Sequence, residues 1–205
     1  MATFAAARRA SNPTSTQDSK ILPGLFAGLD EDSRLSVLHV GPTCSDTLDF
    51  FAEFRSRLYI VDVFTELPLH IPEDEPADFE RQWRDILQLP TDTRFNLCLF
   101  WDLFNFLSAE ALAALMTVLE PQLHEEARGH AFSVHNPRHS LQNCLYGIRD
   151  AQTLSTRARH HTPPGYAPLS QRQLSEALGC MDIERSVLLA DSRLELSLRA
   201  KKTQN

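Results

Sequence analysis

The chain has 205 residues, 42% of them hydrophobic and 23% charged, with a formal net charge of -7. That length and balance suit one globular domain with a sizeable core and exclude a fully disordered chain, while the negative charge excludes a protein that coats nucleic acid or anionic lipid by general electrostatics. No run approaches the roughly 20 apolar residues of a membrane span, and Cys44, Cys98, Cys144 and Cys180 form no Cys-x-x-Cys pair, so they read as the reduced structural thiols of a cytoplasmic protein.

Residues 1–30 read as a flexible N-terminal tail, followed by one domain over 31–205. The segment Met1–Ser19 is rich in Ala, Ser and Thr, carries Arg8 and Arg9, and has no acid before Asp18. A floppy terminus is favoured there over an organelle-import sequence.

Leu35–Val40 is a β-rich run ended by Gly41-Pro42. Asp46–Phe54 then places Leu48, Phe51 and Ala52 at helical spacing, with Asp46 near the N-terminus. Leu58–Val63 is a second apolar run that contains Asp62. Strand, helix and strand within about 30 residues make one βαβ unit.

Pro68, Pro72 and Pro76 punctuate an acidic loop at Glu73–Glu75. Phe79, Trp83 and Ile86 recur at i, i+4 and i+7, which predicts a helix that must end before Pro90. Phe95–Trp101 lacks alternation and predicts a strand covered on both faces. Ser108 is placed to cap a helix whose Leu112, Leu115, Met116 and Leu119 form one stripe, stopped at Pro121.

Gly129–Val134 supplies a further strand. From Asn136 to Ala167 the pattern dissolves into a stretch rich in His, Arg and Pro, which reads as a substrate lid. Ser170–Gln173 is a capping box that opens a short helix ending at Gly179. Ile183–Ala190 and Leu194–Arg199 close the chain. The second of these alternates strictly, as an antiparallel strand with one wet face does, and Asp191-Ser192-Arg193 links the two too tightly for a parallel crossover.

The order is that of an α/β, Rossmann-like three-layer sandwich, with a mostly parallel seven-stranded sheet and a C-terminal antiparallel hairpin. Over Leu35–Arg199 the chain resembles the class I S-adenosylmethionine-dependent methyltransferases. Val37–Ser45 looks like the first strand and cofactor loop, and Leu58–Asp62 like the second strand with its terminal acid. Phe95–Leu107 looks like the fourth strand and its turn, and Gly129–Val134 like the fifth. The family loop is acid-x-Gly-x-Gly-x-Gly. Here His39 stands for the acid, Gly41 is kept, and Thr43 and Ser45 replace the other two glycines.

The resemblance implies S-adenosylmethionine as cofactor, held by His39, Gly41, Pro42 and Thr43 in the loop. It places Asp62 on the ribose, with Val63 or Phe64 against the adenine. Asp85 and Ile86 would flank that ring, and Trp101 and Asp102 would floor the methionine end. It names no catalytic residue. The expected activity is methyl transfer to a small or medium nucleophile, which needs in-line positioning more than a conserved base. The alternative is a non-catalytic interaction module of the same fold, motivated by His39, Thr43 and Ser45. A binder of another nucleotide is the third reading.

His135 and His139 have i, i+4 spacing, but Pro137 interrupts them and no third ligand is near, so no metal is assigned. His135 and Asn136 are instead candidates to face reacting atoms at the end of the fifth strand. Arg157, Arg159, His160 and His161 form a local basic cluster suited to an acidic partner or substrate.

Overall fold

The computed structural model describes residues 14–30, 32–74, 76–138 and 143–202. Its elements run β1 (Ser15–Asp18), α1 (Leu22–Leu25), β2 (Arg34–Val40), α2 (Ser45–Ala52), β3 (Arg55–Val61), α3 (Phe79–Leu87), β4 (Phe95–Trp101), α4 (Ala109–Leu119) and β5 (Leu123–Val134). There follow β6 (Cys144–Ile148), β7 (Thr153–Ala158), α5 (Gln171–Ala177), β8 (Met181–Leu188) and β9 (Arg193–Ala200).

The main sheet has the order β3-β2-β4-β5-β9-β8. The first four strands are mutually parallel, and β9 lies antiparallel between β5 and β8. The apolar run of β4 explains its central place. Cys98 and Phe100 enter the core on the α3, α4 and α5 side, while Leu97, Leu99 and Trp101 enter the core on the other face. A strand that is apolar on both sides is stable only where both faces are covered.

The expected helices form where their signals lie. Ser108 Oγ accepts from Ala111 N–H and opens α4, whose Leu112, Leu115, Met116 and Leu119 are all buried. Ser170 and Gln173 make the reciprocal capping box of α5. Trp83, on the inner face of α3, donates its indole N–H to Ala111 O at 2.7 Å and ties α3 to α4.

Three expectations are corrected. The sheet has six strands among the described residues, not seven. After α3 the chain turns at Gln88, in the left-handed region with φ 45°, and runs through Pro90 directly into β4. Among the described residues no strand pairs with the outer edge of β3.

The stretch Asn136–Ala167 is not an irregular lid throughout. It contains the hairpin β6–β7, which β1 extends into a separate three-stranded sheet. Gly147 of β6 lies so close to α2 that a Cβ there would stand 2.1 Å from Cys44 Sγ. Only glycine fits that approach.

The third correction concerns the tail and the wet face together. Ser15–Phe26 is not a loose terminus: β1 pairs with β7, and Ile21, Leu22, Leu25 and Phe26 are buried. What this segment helps to cover is the polar face of β9. Glu195 and Ser197, expected on the wet face, are less than a tenth exposed, as is Arg193 at the start of the strand. The residues before Thr14 lie outside the described part.

Candidate functional site

Because β2, β3 and β4 run parallel, their carboxyl ends emerge on one edge. From β2 the chain turns to one side for β3 and returns on the other for β4. That reversal is where open α/β sheets bind ligands.

The loop after β2 begins with Gly41 at φ +106°, a conformation that L side chains rarely adopt. Its N–H donates to Val61 O at 2.6 Å. The space a Cβ would enter is already taken, since ring carbons of Phe64 lie 3.0 and 3.1 Å from that position. Phe64 belongs to a short 3-10 turn, Val63–Glu66, that follows β3. The close backbone approach at Gly41 therefore accommodates an aromatic ring of the same chain.

A guanidinium covers that ring. Arg159, just past β7, stacks on Phe64 with 4.1 Å to the centroid, and Phe106, itself edge-on to Phe64 at 5.8 Å, is 5.9 Å from the same guanidinium. The same group donates twice to Asp102 at the end of β4, at 2.9 and 2.6 Å. The Asp102 side chain is 1% exposed and that of Arg159 7%. Burial pushes the Asp102 carboxyl up from its ordinary range, and the Arg159 charge and hydrogen bonds oppose that rise.

Asp62 stands where β3 ends, only partly exposed. Burial raises its carboxyl too, against the Phe64 N–H and the field of Arg159. Its Oδ1 is buried without a hydrogen-bond partner. A carboxylate oxygen in that state is uncommon and marks a place where another donor would be accommodated.

His39 is fully buried, and both of its ring nitrogens are engaged within the chain. Trp101 Nε1–H, which can only donate, gives its proton to His39 Nε2 at 3.2 Å. Nδ1 therefore carries the ring proton and donates to Gly41 O, also at 3.2 Å. Burial lowers its pKa from the ordinary 6.5 to about 4, the contact with Gly41 only partly offsetting it.

That shift predicts a pH effect. The unfolded chain protonates this imidazole near pH 6.5 and the folded chain only near about 4, so acidification through that window favours unfolding. Between about pH 7 and about pH 5 the expected loss is about 2 kcal/mol, read from urea midpoints. The pH-dependent part should disappear in His39→Leu, whatever that variant's own stability. An unchanged profile would place the imidazole in water.

The remaining expected residues divide. Pro42 and Thr43 border a cavity of about 30 Å3 between the loop and β6–β7. This is room for one or two waters, against roughly 300–1,000 Å3 for a small-molecule pocket. Val63 is buried in the core and so is not placed to lie against a ligand. Trp101 is buried as well, stacked on Tyr146 at 5.8 Å with the planes 15° apart. Asp85 sits on the exposed face of α3 with Arg81 at 4.0 Å, and Ile86 packs toward the core.

His135 is exposed at the end of β5, and His139 lies outside the described residues. Among the described residues no group of three His, Cys, Asp or Glu side chains is placed to hold a metal ion. The basic cluster is split. Arg159 turns inward to Asp102, Arg157 donates to Thr14 at 3.2 Å, and His160 and His161 are exposed. The pairing of Arg159 with Asp102, 57 residues apart, had no sequence signal.

The residues present do not fit a nucleotide-sized cofactor in this arrangement. Gly41 is capped by Phe64, Asp102 is engaged by Arg159, and the adjoining cavity is too small.

No family model matches the sequence, and no curated protein is similar to it. Solved structures do match. An S-adenosylmethionine-dependent methyltransferase from Aquifex aeolicus superposes with a TM-score of 0.51 at 17% identity, over 89% of this chain and 88% of that one. A putative type 11 methyltransferase from Sulfolobus solfataricus gives 0.51 at 12% identity, over 90% and 92%. The mitomycin 7-O-methyltransferase MmcR gives 0.50 at 12% identity over 88% of this chain, which spans 53% of that protein. The chain likewise spans 54% of the pyocyanin biosynthetic protein PhzM. At these identities the likeness establishes the fold, that of class I S-adenosylmethionine-dependent methyltransferases. No helix among the described residues is long and apolar enough to cross a membrane.

Proposed function

We propose that this chain is a non-catalytic module of the methyltransferase fold, its cofactor position closed by its own side chains. One observation carries the reading: the buried Asp102–Arg159 pair stacked on Phe64, which in turn caps Gly41. The guanidinium sits among the end of β4, the turn after β3 and the field of Asp62, where the fold would otherwise hold a nucleoside. With that place filled, the exposed parts of the domain are what remain for interaction with other molecules.

A specific observation keeps a second reading, an S-adenosylmethionine-dependent methyltransferase with an unidentified acceptor. Asp62 Oδ1 is buried and unpartnered, a free acceptor at the position that the resemblance assigns to the ribose. On that reading Arg159 leaves Asp102 to admit the cofactor.

Calorimetric titration with S-adenosylhomocysteine separates the two. The closed module gives no binding tighter than about 1 mM. Phe64→Ala combined with Arg159→Met, which removes the ring and the charge, is expected to bind measurably. Micromolar binding by the unaltered chain, weakened by Asp62→Ala, would establish the enzyme reading instead.

A further inference from the structure

The opposite end of the sheet carries a basic hollow that the closed site does not explain. Arg34 begins β2, and Arg55 and Arg57 lie at the start of β3. The parallel register sets Arg34 beside Arg55 and Ser36 beside Arg57, so these side chains share one face of the sheet. With Ser36, Ser56 and Asn96 they line an open hollow of about 390 Å3. Among the described residues no carboxylate lines it.

The charges there are poorly matched from within the chain. Arg55 meets Asp32 at 2.8 Å, but both side chains are mostly exposed, and such a pair is weak. Arg57 reaches only Tyr59 Oη, at 3.4 Å, with Asp92 acting on it through space. Arg34 makes no side-chain hydrogen bond or ion pair among the described residues. Like charges side by side on adjacent strands are destabilising. Three of them lie together here in a chain of net charge -7.

Guanidinium groups present forked donors that match phosphate oxygens in pairs. The hollow has the size of a small-molecule site, and the outer edge of β3, with which no described strand pairs, leaves it accessible from the side. We propose that this hollow binds a small, multiply charged phosphate anion, of the size of pyrophosphate or a nucleoside diphosphate, through Arg34, Arg55 and Arg57. The proposal is independent of the closed site, which lies at the other end of the strands.

The test is titration of the whole chain with sodium pyrophosphate at low salt, followed by calorimetry and by backbone amide shifts. Saturable binding is expected, with shifts confined to the starts of β2, β3 and β4. Arg34→Gln combined with Arg57→Gln should weaken it at least about tenfold. Both side chains are exposed, and removing like charges relieves repulsion, so thermal melts should not fall. If that variant fails to fold, Arg34→Gln alone serves, since among the described residues that side chain has no partner to lose. Asp32→Asn should tighten binding about threefold by releasing Arg55, while Asp74→Asn, an equal charge change elsewhere, should not.

A parallel titration with a nucleoside diphosphate distinguishes the sources. Tighter binding than pyrophosphate assigns a nucleotide, and equal or weaker binding assigns an inorganic or other simple phosphate. Absence of saturable binding, shifts that map elsewhere, or full affinity in the arginine variant would overturn the proposal.

Discussion

Replacing Arg159 by alanine is expected to destabilise the fold by about 3–5 kcal/mol near about pH 8, because it leaves the Asp102 carboxylate buried without its counter-charge. The loss should be smaller near about pH 5. Burial already raises the Asp102 carboxyl, and the guanidinium is the main force opposing that rise. Without it the folded state holds a proton that the unfolded chain gives up. Such a group contributes stability at low pH and loses it as pH rises through the folded-state value.

Urea unfolding at the two pH values reads both effects. The double variant Arg159→Met with Asp102→Leu removes both charges and keeps apolar volume, so it should return to within about 1 kcal/mol of the parent. A loss below about 1 kcal/mol for Arg159→Ala at both pH values is the behaviour of an exposed pair. It would remove the support for a closed site.

The second large effect is expected at Glu195. This carboxylate is fully buried on β9. It accepts from His130 Nε2 at 3.0 Å, from the Ser19 hydroxyl and, through its other oxygen, from the Lys20 N–H at 2.9 Å. Burial alone pushes its carboxyl up, but the contacts with His130, Ser19 and Lys20 together outweigh it and hold the group below its ordinary range. Ser19 also accepts from the N–H groups of Ile21 and Leu22. One side chain thus fixes the start of α1 to the sheet.

Glu195→Ala removes an acceptor shared by three donors and should cost about 3–5 kcal/mol. Glu195→Gln keeps the shape and one acceptor and should cost about half as much. Hydrogen exchange adds a local signature, with the amides of Leu22–Phe26 losing protection before those of β4. Uniform loss across both segments would show that this carboxylate serves the whole core rather than the N-terminal attachment.

The two faults in reading β9 and the N-terminal segment had one cause. Strict alternation in Leu194–Arg199 shows which residues share a face; it does not say what lies against the polar one. Glu195 and Ser197 looked like residues turned to water. A segment more than 170 residues away in sequence folds back on that side through Ser19 and Gln17. Composition made that segment resemble a tail, because Ser, Thr and Gln carry little hydrophobic pattern. Its apolar anchors, Ile21, Leu22, Leu25 and Phe26, were the available signal.

At the candidate site the local signals were similarly correct and incomplete. Gly41 marked a turn with positive φ, and Asp62 and Asp102 marked strand ends. Their partners came from elsewhere: Phe64 from the turn after β3, and Arg159 from the stretch after β7, read as part of a basic cluster for an outside partner. A guanidinium shows its charge in the sequence and its direction only in the fold.

The sequence by itself determined the alternation of strands and helices from β2 to β5, the both-sided burial of β4, the caps of α4 and α5 and the closing hairpin. These depend on periodicity and on hydrogen bonds between residues a few positions apart. Only the tertiary structure decided that the sheet stops at β3, that β1, β6 and β7 form a sheet of their own, and that Arg159 fills the place beside Phe64. Those outcomes rest on pairings between distant segments, whose stability comes from burying a charge or covering a face together, and neither member of such a pair carries a mark of the other.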